Sequence, residues 1–273
     1  MRGGVFIFKN QWEDDQKNDR LVAWLPDFTE EDLIKLRQDL DHHERGKRIV
    51  YIKESGHSGL LGLDFREEAV SSGFFSGDKA YIYTHYGKEE RSKSKSEKEN
   101  SEVLAKVKAD RKKITAGERA PFPVSLAGDS DLLSLASLYR MVFPEYPTNI
   151  FEPEALKKSI ESDYTFAVMK DGDEVIGAAS AMDTGYGSAE ITDCAVNPAY
   201  RGQAILNFII QKLEEQCVRC GINHVFSMTR ARSTGMNMTV KRLEYIYEGT
   251  LINNCVITSG FEDMNMWTKN LKK

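Results

Sequence analysis

Residues 188–221 read SAEITDCAVNPAYRGQAILNFIIQKLEEQCVRCG: a strand, a tight turn and an amphipathic helix in immediate succession. The strand is AEITDCAV, β-branched and alternating. Asn197-Pro198 breaks it, and Tyr200-Arg201-Gly202 turns the chain into the helix. Ile205, Ile209, Leu213 and Cys217 recur every four residues on one face, with Gln211, Lys212, Glu214 and Glu215 on the other. Gly221 stands where a helix places its C′ glycine. A strand that enters a helix through a basic, glycine-containing turn is a phosphate site. The first-turn amides have no intrahelical partner, and the helix dipole is positive at that end.

The run Asn197-Pro198-Ala199-Tyr200-Arg201-Gly202-Gln203-Ala204-Ile205-Leu206 resembles the acetyl-CoA turn of the GNAT N-acetyltransferases, an Arg/Gln-x-x-Gly-x-Gly/Ala pattern often set in N-P-x-Y-R-G. Ala204 stands where that family has glycine, and Leu206 where it has glycine or alanine. The extra methyl of Ala204 is tolerable if its φ is helical. Leu206 either crowds the cofactor or points into the core, four residues before Ile210.

Outward from this stretch, 273 residues suffice for one large or two small domains. Apolar content of 41% and charged content of 29% are those of an ordinary soluble globular protein. A net charge of -5 argues against a nucleic-acid partner, which wants a basic face. No apolar run reaches membrane-spanning length, and Val5 to Phe8 is too short for a signal-peptide core. These features predict a cytoplasmic protein with neither nucleic acid nor membrane as partner. The cysteines, Cys194, Cys217, Cys220 and Cys255, make no disulfide framework. Cys217-x-x-Cys220 has no second pair, and Cys217 falls on the apolar helix face, so the expectation is no metal. His42-His43 reads as a solvated helix end.

Residues 1–87 read as a small α/β domain. Thr29 caps a helix opened by Glu30, Glu31 and Asp32, with Leu33, Leu36 and Leu40 on its apolar face. RIVYIK, from Arg48 to Lys53, is a strand, and a turn at Gly73–Asp78 precedes another from Ala80 to Thr84. Residues 88–120 read as a charged linker: ten basic and six acidic side chains fall in 88–113, mixed in sign and without interleaved aromatics, which favours a solvated segment, helical toward its end, over a nucleic-acid patch. Residues 121–273 read as strand, two helices, three strands, helix, strand, helix and a final strand pair; Asp171-Gly172-Asp173 marks a hairpin. That order is the GNAT order. The implied fold class is α/β (α+β), a central mixed, mainly antiparallel sheet flanked by helices, with the smaller N-terminal domain attached.

Further strings resemble the β-lysine N-acetyltransferases within that family. They are Tyr146-Pro147-Thr148 with Ile150-Phe151, Ile191-Thr192-Asp193, Thr229-Arg230-Ala231-Arg232, Gly235-Met236-Asn237, Gly249-Thr250-Leu251-Ile252-Asn253-Asn254, Glu262-Asp263-Met264-Asn265-Met266-Trp267, and Gly73–Tyr81 near the N-terminus. The resemblance implies acetyl-CoA-dependent acetylation of the side-chain amine of β-lysine, giving a zwitterionic compatible solute (an osmolyte).

Such chemistry assigns candidate roles. Backbone groups of Cys194, Ala195 and Val196 would hold pantetheine; Arg201, Gly202, Gln203, Ala204, Ile205 and Leu206 would hold the pyrophosphate. Asn237 resembles the family's asparagine near the CoA arm, or caps the helix after it. Glu190, in an A-E-I context where several GNAT enzymes place a base, is the first general-base candidate, against a solvent-facing strand residue. Asp193 is the second, or grips a substrate ammonium. The period of two puts these carboxylates on opposite faces. Tyr245 (with Tyr247 nearby) would protonate the leaving thiolate, or is a core tyrosine. Arg230 and Arg232 are candidates for an acceptor carboxylate. Tyr146, Asn149 and Glu152 would build the acceptor wall, with Asn253 and Asn254 in the same cleft or in local turns. Cys194 is disfavoured as a nucleophile, since no histidine lies near it in sequence. The rival readings are a GNAT-like scaffold that has lost catalysis, motivated by Ala204 and Leu206, and an acetyltransferase for another amine such as a polyamine. A homodimer stays open.

Overall fold

The computed structural model describes residues 9–42, 45–114, 119–146, 148–257 and 260–272. The expectations placed on Val5 to Phe8, His43 and Pro147 lie outside the described residues.

The N-terminal half opens with a hairpin the sequence reading passed over, β1 (Gln11–Asp15) and β2 (Arg20–Leu25). Helix α1 (Glu30–His42) then leads to β3 (Lys47–Ile52), parallel to β2. The cap is as read: the Thr29 hydroxyl accepts from the Asp32 amide at 3.2 Å, and the Asp32 carboxylate accepts from the Thr29 amide at 3.0 Å. Strands β4 (Arg66–Phe75) and β5 (Asp78–Tyr86) follow.

The segment expected as a solvated linker is fastened to the body. It forms helix α2 (Glu97–Ala109), whose Val107 is fully buried. Just before it, the Arg91 guanidinium is buried and donates to the Asn253 carbonyl at 2.9 Å and the Asp19 carbonyl at 3.2 Å. Most of the other charges of this segment are exposed, and nothing local in the sequence separates the buried Arg91 from them.

The C-terminal half runs β6 (Val124–Leu126), α3 (Leu132–Val142), α4 (Pro153–Ile160), β7 (Tyr164–Asp171), β8 (Glu174–Asp183), β9 (Ser188–Val196), α5 (Ile205–Arg219), β10 (His224–Arg230), α6 (Thr234–Arg242), β11 (Ile246–Ile257) and β12 (Gly260–Asn270). Gly221 ends α5 as predicted: the Ile222 amide donates to the Cys217 carbonyl at 2.9 Å and the Gly221 amide to that of Val218 at 3.0 Å.

All strands join one sheet in the order β1-β2-β3-β5-β4-β11-β12-β10-β9-β8-β7-β6. β2/β3 and β9/β10 are the parallel neighbours; the other pairs are antiparallel, so the sheet is mixed and mainly antiparallel. Its halves meet where β4 lies along β11, at Gly249 opposite Ala69. Gly249 has φ +137, and a Cβ there would stand 2.3 Å from the Glu68 carbonyl oxygen, so the backbones approach closely only because this residue is glycine. The seam is further tied by the buried Lys47 ammonium, which donates to the Ile252 carbonyl at 2.7 Å and to Glu68 at 2.9 Å.

Helix α5 covers one face of the C-terminal sheet over a cluster that includes Ile191, Ile209, Leu213 and Trp267. On the other face, α3 and α4 pack over Phe166, Val168 and Ala195. A further cluster is shared between the halves: Val22, Tyr51 and Phe74 pack with Tyr186, Phe226, Leu251 and Met266. The candidate site lies beside this shared cluster.

Candidate active site

Strand β9 carries an irregularity that its alternating sequence conceals. Against β8, Ser180 pairs with Thr192 and Ala178 with Ala195, so β9 holds one residue more than its partner. The extra residue is accommodated at Asp193, which has φ +50. Before the bulge, Ala189 and Ile191 pack on the α5 side; after it, Cys194 and Val196 do, while Ala195 packs on the α3 side. Glu190 and Asp193 therefore both face the α3 side. The expectation of opposite faces fails because the bulge resets the period of two.

The same strand forks from its other neighbour. β10 pairs with β9 from His224/Ser188 to Phe226/Glu190, and there the parallel ladder ends. The Ser227 hydroxyl donates to the Ile191 carbonyl at 2.8 Å in the angle of the fork. Beyond it, β9 runs on to Val196 with the edge toward β10 unpaired, an extended backbone on which another chain of amides can pair. Glu190 sits at the apex.

Glu190 is half-buried, and burial together with the charge of Asp193 pushes its carboxyl up to about 8, while Arg20 pulls it down. Asp193 is buried and accepts from the Ser180 hydroxyl at 2.6 Å and from the Tyr146 hydroxyl, which in turn accepts from Thr192. Burial raises the Asp193 carboxyl, and its two hydrogen bonds partly offset the rise. Burial, then Asp193 and Glu190, keeps the Cys194 thiol well above its ordinary range, so Cys194, on the α5 side of the strand, is a neutral thiol. Tyr164 is raised in the same way by burial and by both carboxylates, and lines the same space. Glu190 and Tyr164 are half-buried, and burial disfavours the ionised form of each.

At the mouth of the fork, residues 201–204 are exposed, with Gly202 at φ +85. Ala204 immediately precedes α5 with φ +57. Its conformation is left-handed, not the helical one that would make alanine neutral there. Leu206 is half-buried against the α5 cluster, so its bulk turns toward the core. Ile205 and Leu206 begin the helix, and their amides lie at its open end.

Other sequence candidates fall elsewhere. Arg230 holds Glu262 in a fork, Nε at 2.7 Å and Nη2 at 2.6 Å, and the half-exposed Arg232 lies 3.7 Å from the same carboxylate. Tyr245 is buried in the α5 cluster on the face opposite Glu190, its hydroxyl beside Glu214. Asn237 is fully buried: its Oδ1 accepts from Thr229 at 2.7 Å, Asn265 at 2.9 Å and the Trp267 indole at 2.9 Å, and its Nδ2 donates to the Arg230 and Ser233 carbonyls. No group of that side chain is left over for a cofactor. Asn253 clamps the seam, donating to the Arg91 and Lys93 carbonyls at 3.0 and 2.9 Å. Asn149 is exposed on the loop before α4, and Glu152 pairs with Arg140 at 3.0 Å. Asn254 is buried with Oδ1 unpartnered, and its carbonyl accepts from Arg20 at 3.1 Å.

Sequence reasoning missed Arg20, Tyr51, Ser180 and Tyr164. The alternation of RLVAWL after a polar turn marks β2, yet nothing local says which half of the chain its side chains meet.

A sequence model of the acetyltransferase (GNAT) family matches residues 132–236. The N-acetyltransferase YodP of Bacillus subtilis is 37% identical over 226 residues, covering 82% of this chain and 82% of the relative. A β-lysine N(6)-acetyltransferase of Methanococcus maripaludis is 30% identical over 230 residues, 83% of this chain and 84% of the relative. That of Methanosarcina mazei is 29% identical over 248 residues, 83% and 92%. With a forked β9/β10 pair, a basic turn into α5 and these relatives spanning both halves, the chain belongs to the GNAT acetyltransferase family and is an N-acetyltransferase.

Proposed function

We propose that this enzyme transfers the acetyl group of acetyl-CoA to the side-chain amine of β-lysine, giving an N-acetylated zwitterion suited to the role of an osmolyte. The observation that carries the reading is Glu190, a desolvated carboxylate at the apex of the strand fork, in a chain similar over most of its length to two proteins named for β-lysine acetylation.

The residues fit a CoA co-substrate. The unpaired edge of β9 at Cys194–Val196 suits the pantetheine amides, and the open helix end at Gly202–Leu206, with Arg201 beside it, suits the pyrophosphate. Acetyl-CoA supplies an activated thioester carbonyl. The acceptor amine arrives as an ammonium, and ionised Glu190 accepts one proton from it and passes that proton to solvent. The nitrogen then bonds to the acetyl carbon as the carbon–sulfur bond breaks, its electron pair going to sulfur; the second proton leaves with the thiol. Asp193, fixed by Ser180 and Tyr146, holds negative charge near the incoming ammonium and keeps Glu190 basic. In this reading residues 121–273 are the acetyltransferase domain and 88–120 the connection. Residues 1–87 are a smaller domain that closes the acceptor side.

The test is thiol release from acetyl-CoA with L-β-lysine, L-lysine, ornithine and spermidine, the acetylated nitrogen assigned by NMR. Turnover best with β-lysine, at its terminal amine, is expected. Best turnover with spermidine would replace the acceptor with a polyamine.

A further inference from the structure

Resting on the amino-acid reading above, we propose that Arg20, from the N-terminal hairpin, binds the carboxylate of the acceptor, so that the acceptor site is built by both halves of the chain.

The placement comes from strand register. On β2, Val22 and Trp24 face the cluster shared between the halves, and the period of two puts Arg20 on that face. Tyr51, which pairs with Trp24 across β2/β3, belongs to the same cluster. So does Phe226, the residue beside Glu190 in the β9/β10 ladder. Arg20 and Glu190 thus lie on the face of the sheet that carries the shared cluster, one from each half of the chain. Their charges register on each other's surroundings: Arg20 favours ionised Glu190, and the Tyr51 hydroxyl feels both.

Arg20 is also built as a binding group. Its Nε donates to Asp15 at 2.8 Å, and its Nη1 donates to the Asn254 carbonyl at 3.1 Å and lies 3.7 Å from the Cys255 sulfur. Asp15 is itself fixed by the Asn18 amide at 3.2 Å and side chain at 2.7 Å. Among the described residues Nη2 has no hydrogen-bond partner, although the side chain is only 18% exposed. Neighbouring cations at the seam are occupied: Lys47 by Glu68 and Ile252, Arg91 by the carbonyls of Asn18, Asp19 and Asn253. Arg230 is held by Glu262, which also lies 3.7 Å from the half-exposed Arg232. A zwitterionic acceptor matches the remaining polarity, with its carboxylate on Arg20 and its far ammonium toward Glu190 and Asp193.

The experiment compares wild type, Arg20→Gln and Arg20→Lys with two acceptors, β-lysine and 1,4-diaminopentane, the same molecule without its carboxylate. Arg20→Gln is expected to lower kcat/KM for β-lysine about 10- to 100-fold, through KM, the range for losing a hydrogen bond to a charged group. On the pH plateau above the Glu190 midpoint, where loss of the Arg20 charge no longer changes the ionisation of the base, the loss on 1,4-diaminopentane is several-fold smaller than on β-lysine, and the KM for acetyl-CoA is unchanged. Arg20→Lys keeps the charge without the fork and falls between, and it carries the test if the glutamine variant melts early. Equal losses on both acceptors assign Arg20 a structural role and overturn the inference. Wild type that prefers β-lysine, with Arg20→Gln keeping that preference, overturns the inference alone. Wild type that prefers the diamine overturns the amino-acid reading and the inference together.

Discussion

Glu190 and Asp193 stand three residues apart on one strand and face the same side of the sheet, because Asp193 occupies a bulge with φ +50. The bulge brings a second carboxylate to bear on the first. Its own carboxyl is hydrogen-bonded by Ser180 and Tyr146, while Glu190 is half-buried with Arg20 as its counter-charge. The pair therefore divides into a carboxyl held by two hydrogen bonds and a titrating base.

The first prediction is kinetic. With Glu190 at about 8, kcat/KM rises with pH through that value to a plateau, because the ionised form accepts the proton. Asp193→Asn removes the repulsive charge and moves the midpoint down; burial, the larger cause, keeps it above the ordinary 4.5. Glu190→Gln lowers the rate about 100- to 10,000-fold, the usual worth of a general base. It leaves only the rise due to the amine's own ionisation. An unchanged profile in Glu190→Gln would remove Glu190 from the mechanism.

The same carboxyl makes stability depend on pH. Its folded value lies above its unfolded one, so the stability it contributes is complete below 4.5 and is lost as pH rises through about 8. Glu190→Gln should therefore melt above wild type at pH 9 and close to it at pH 5. About 2 kcal/mol is expected once the solvent reaching this half-buried group is allowed for, at roughly 2–4 °C per kcal/mol in a chain of this size. Parallel melts at the two pH values read it directly.

Much of the fold is legible in the sequence because its elements are locally consistent. The AEITDCAV strand, the capped α1, the Asp171-Gly172 hairpin and the Gly221 stop of α5 each carry their own signal. The candidate site is legible only in part. Glu190 is a candidate through its resemblance to the base position of several GNAT enzymes, but the bulge at Asp193 is hidden in the sequence, since a bulged strand keeps an alternating sequence on either side of it. Arg230 and Arg232 read as free cations because their partner, Glu262, comes from a strand thirty residues on. Asn237 read as a cofactor ligand or cap, while its true partners lie on β10 and β12. Arg20 carries no local signal because the Asn254 carbonyl it donates to lies 234 residues on in the chain, and the cluster it faces is shared between the halves.

Asn237→Ala tests that reassignment. The substitution strands three buried donors, from Thr229, Asn265 and Trp267, at about 1–3 kcal/mol for each that finds no water. The expected result is a large fall in melting temperature with KM for acetyl-CoA unchanged in the fraction that stays folded. A weakened KM at unaltered stability would restore Asn237 to the cofactor site.

Gly249→Ala tests the seam. The new methyl would lie 2.3 Å from the Glu68 carbonyl oxygen and 2.5 Å from the Ala69 Cα, both backbone atoms, at φ +137. Neither neighbour relaxes by a rotamer change, so β11 must move away from β4. A loss of about 2 kcal/mol or more is expected, as for other strained backbone positions. Acceptor KM should suffer more than acetyl-CoA KM, since Arg20 hangs on the displaced side through the carbonyl of Asn254.

Ala204 offers a prediction whose sign is diagnostic. At a helical position, alanine to glycine destabilises by about 0.5–1 kcal/mol through backbone entropy. Ala204 instead has φ +57 and ψ 23 at the start of α5, where a Cβ costs about 1–2 kcal/mol. Ala204→Gly should therefore raise the melting temperature slightly, by about 1–3 °C on a net gain of up to ~1 kcal/mol. It should also leave acetyl-CoA affinity equal or tighter, because the methyl it removes lies at the exposed turn. Ala204→Val, β-branched at a left-handed position, should lower both. A fall in melting temperature for Ala204→Gly would mean that the turn is helical in solution and that this departure from the family's glycine is neutral. A rise would mean that the chain carries strain at the turn and that Gly202, at φ +85, supplies the remaining freedom the turn needs.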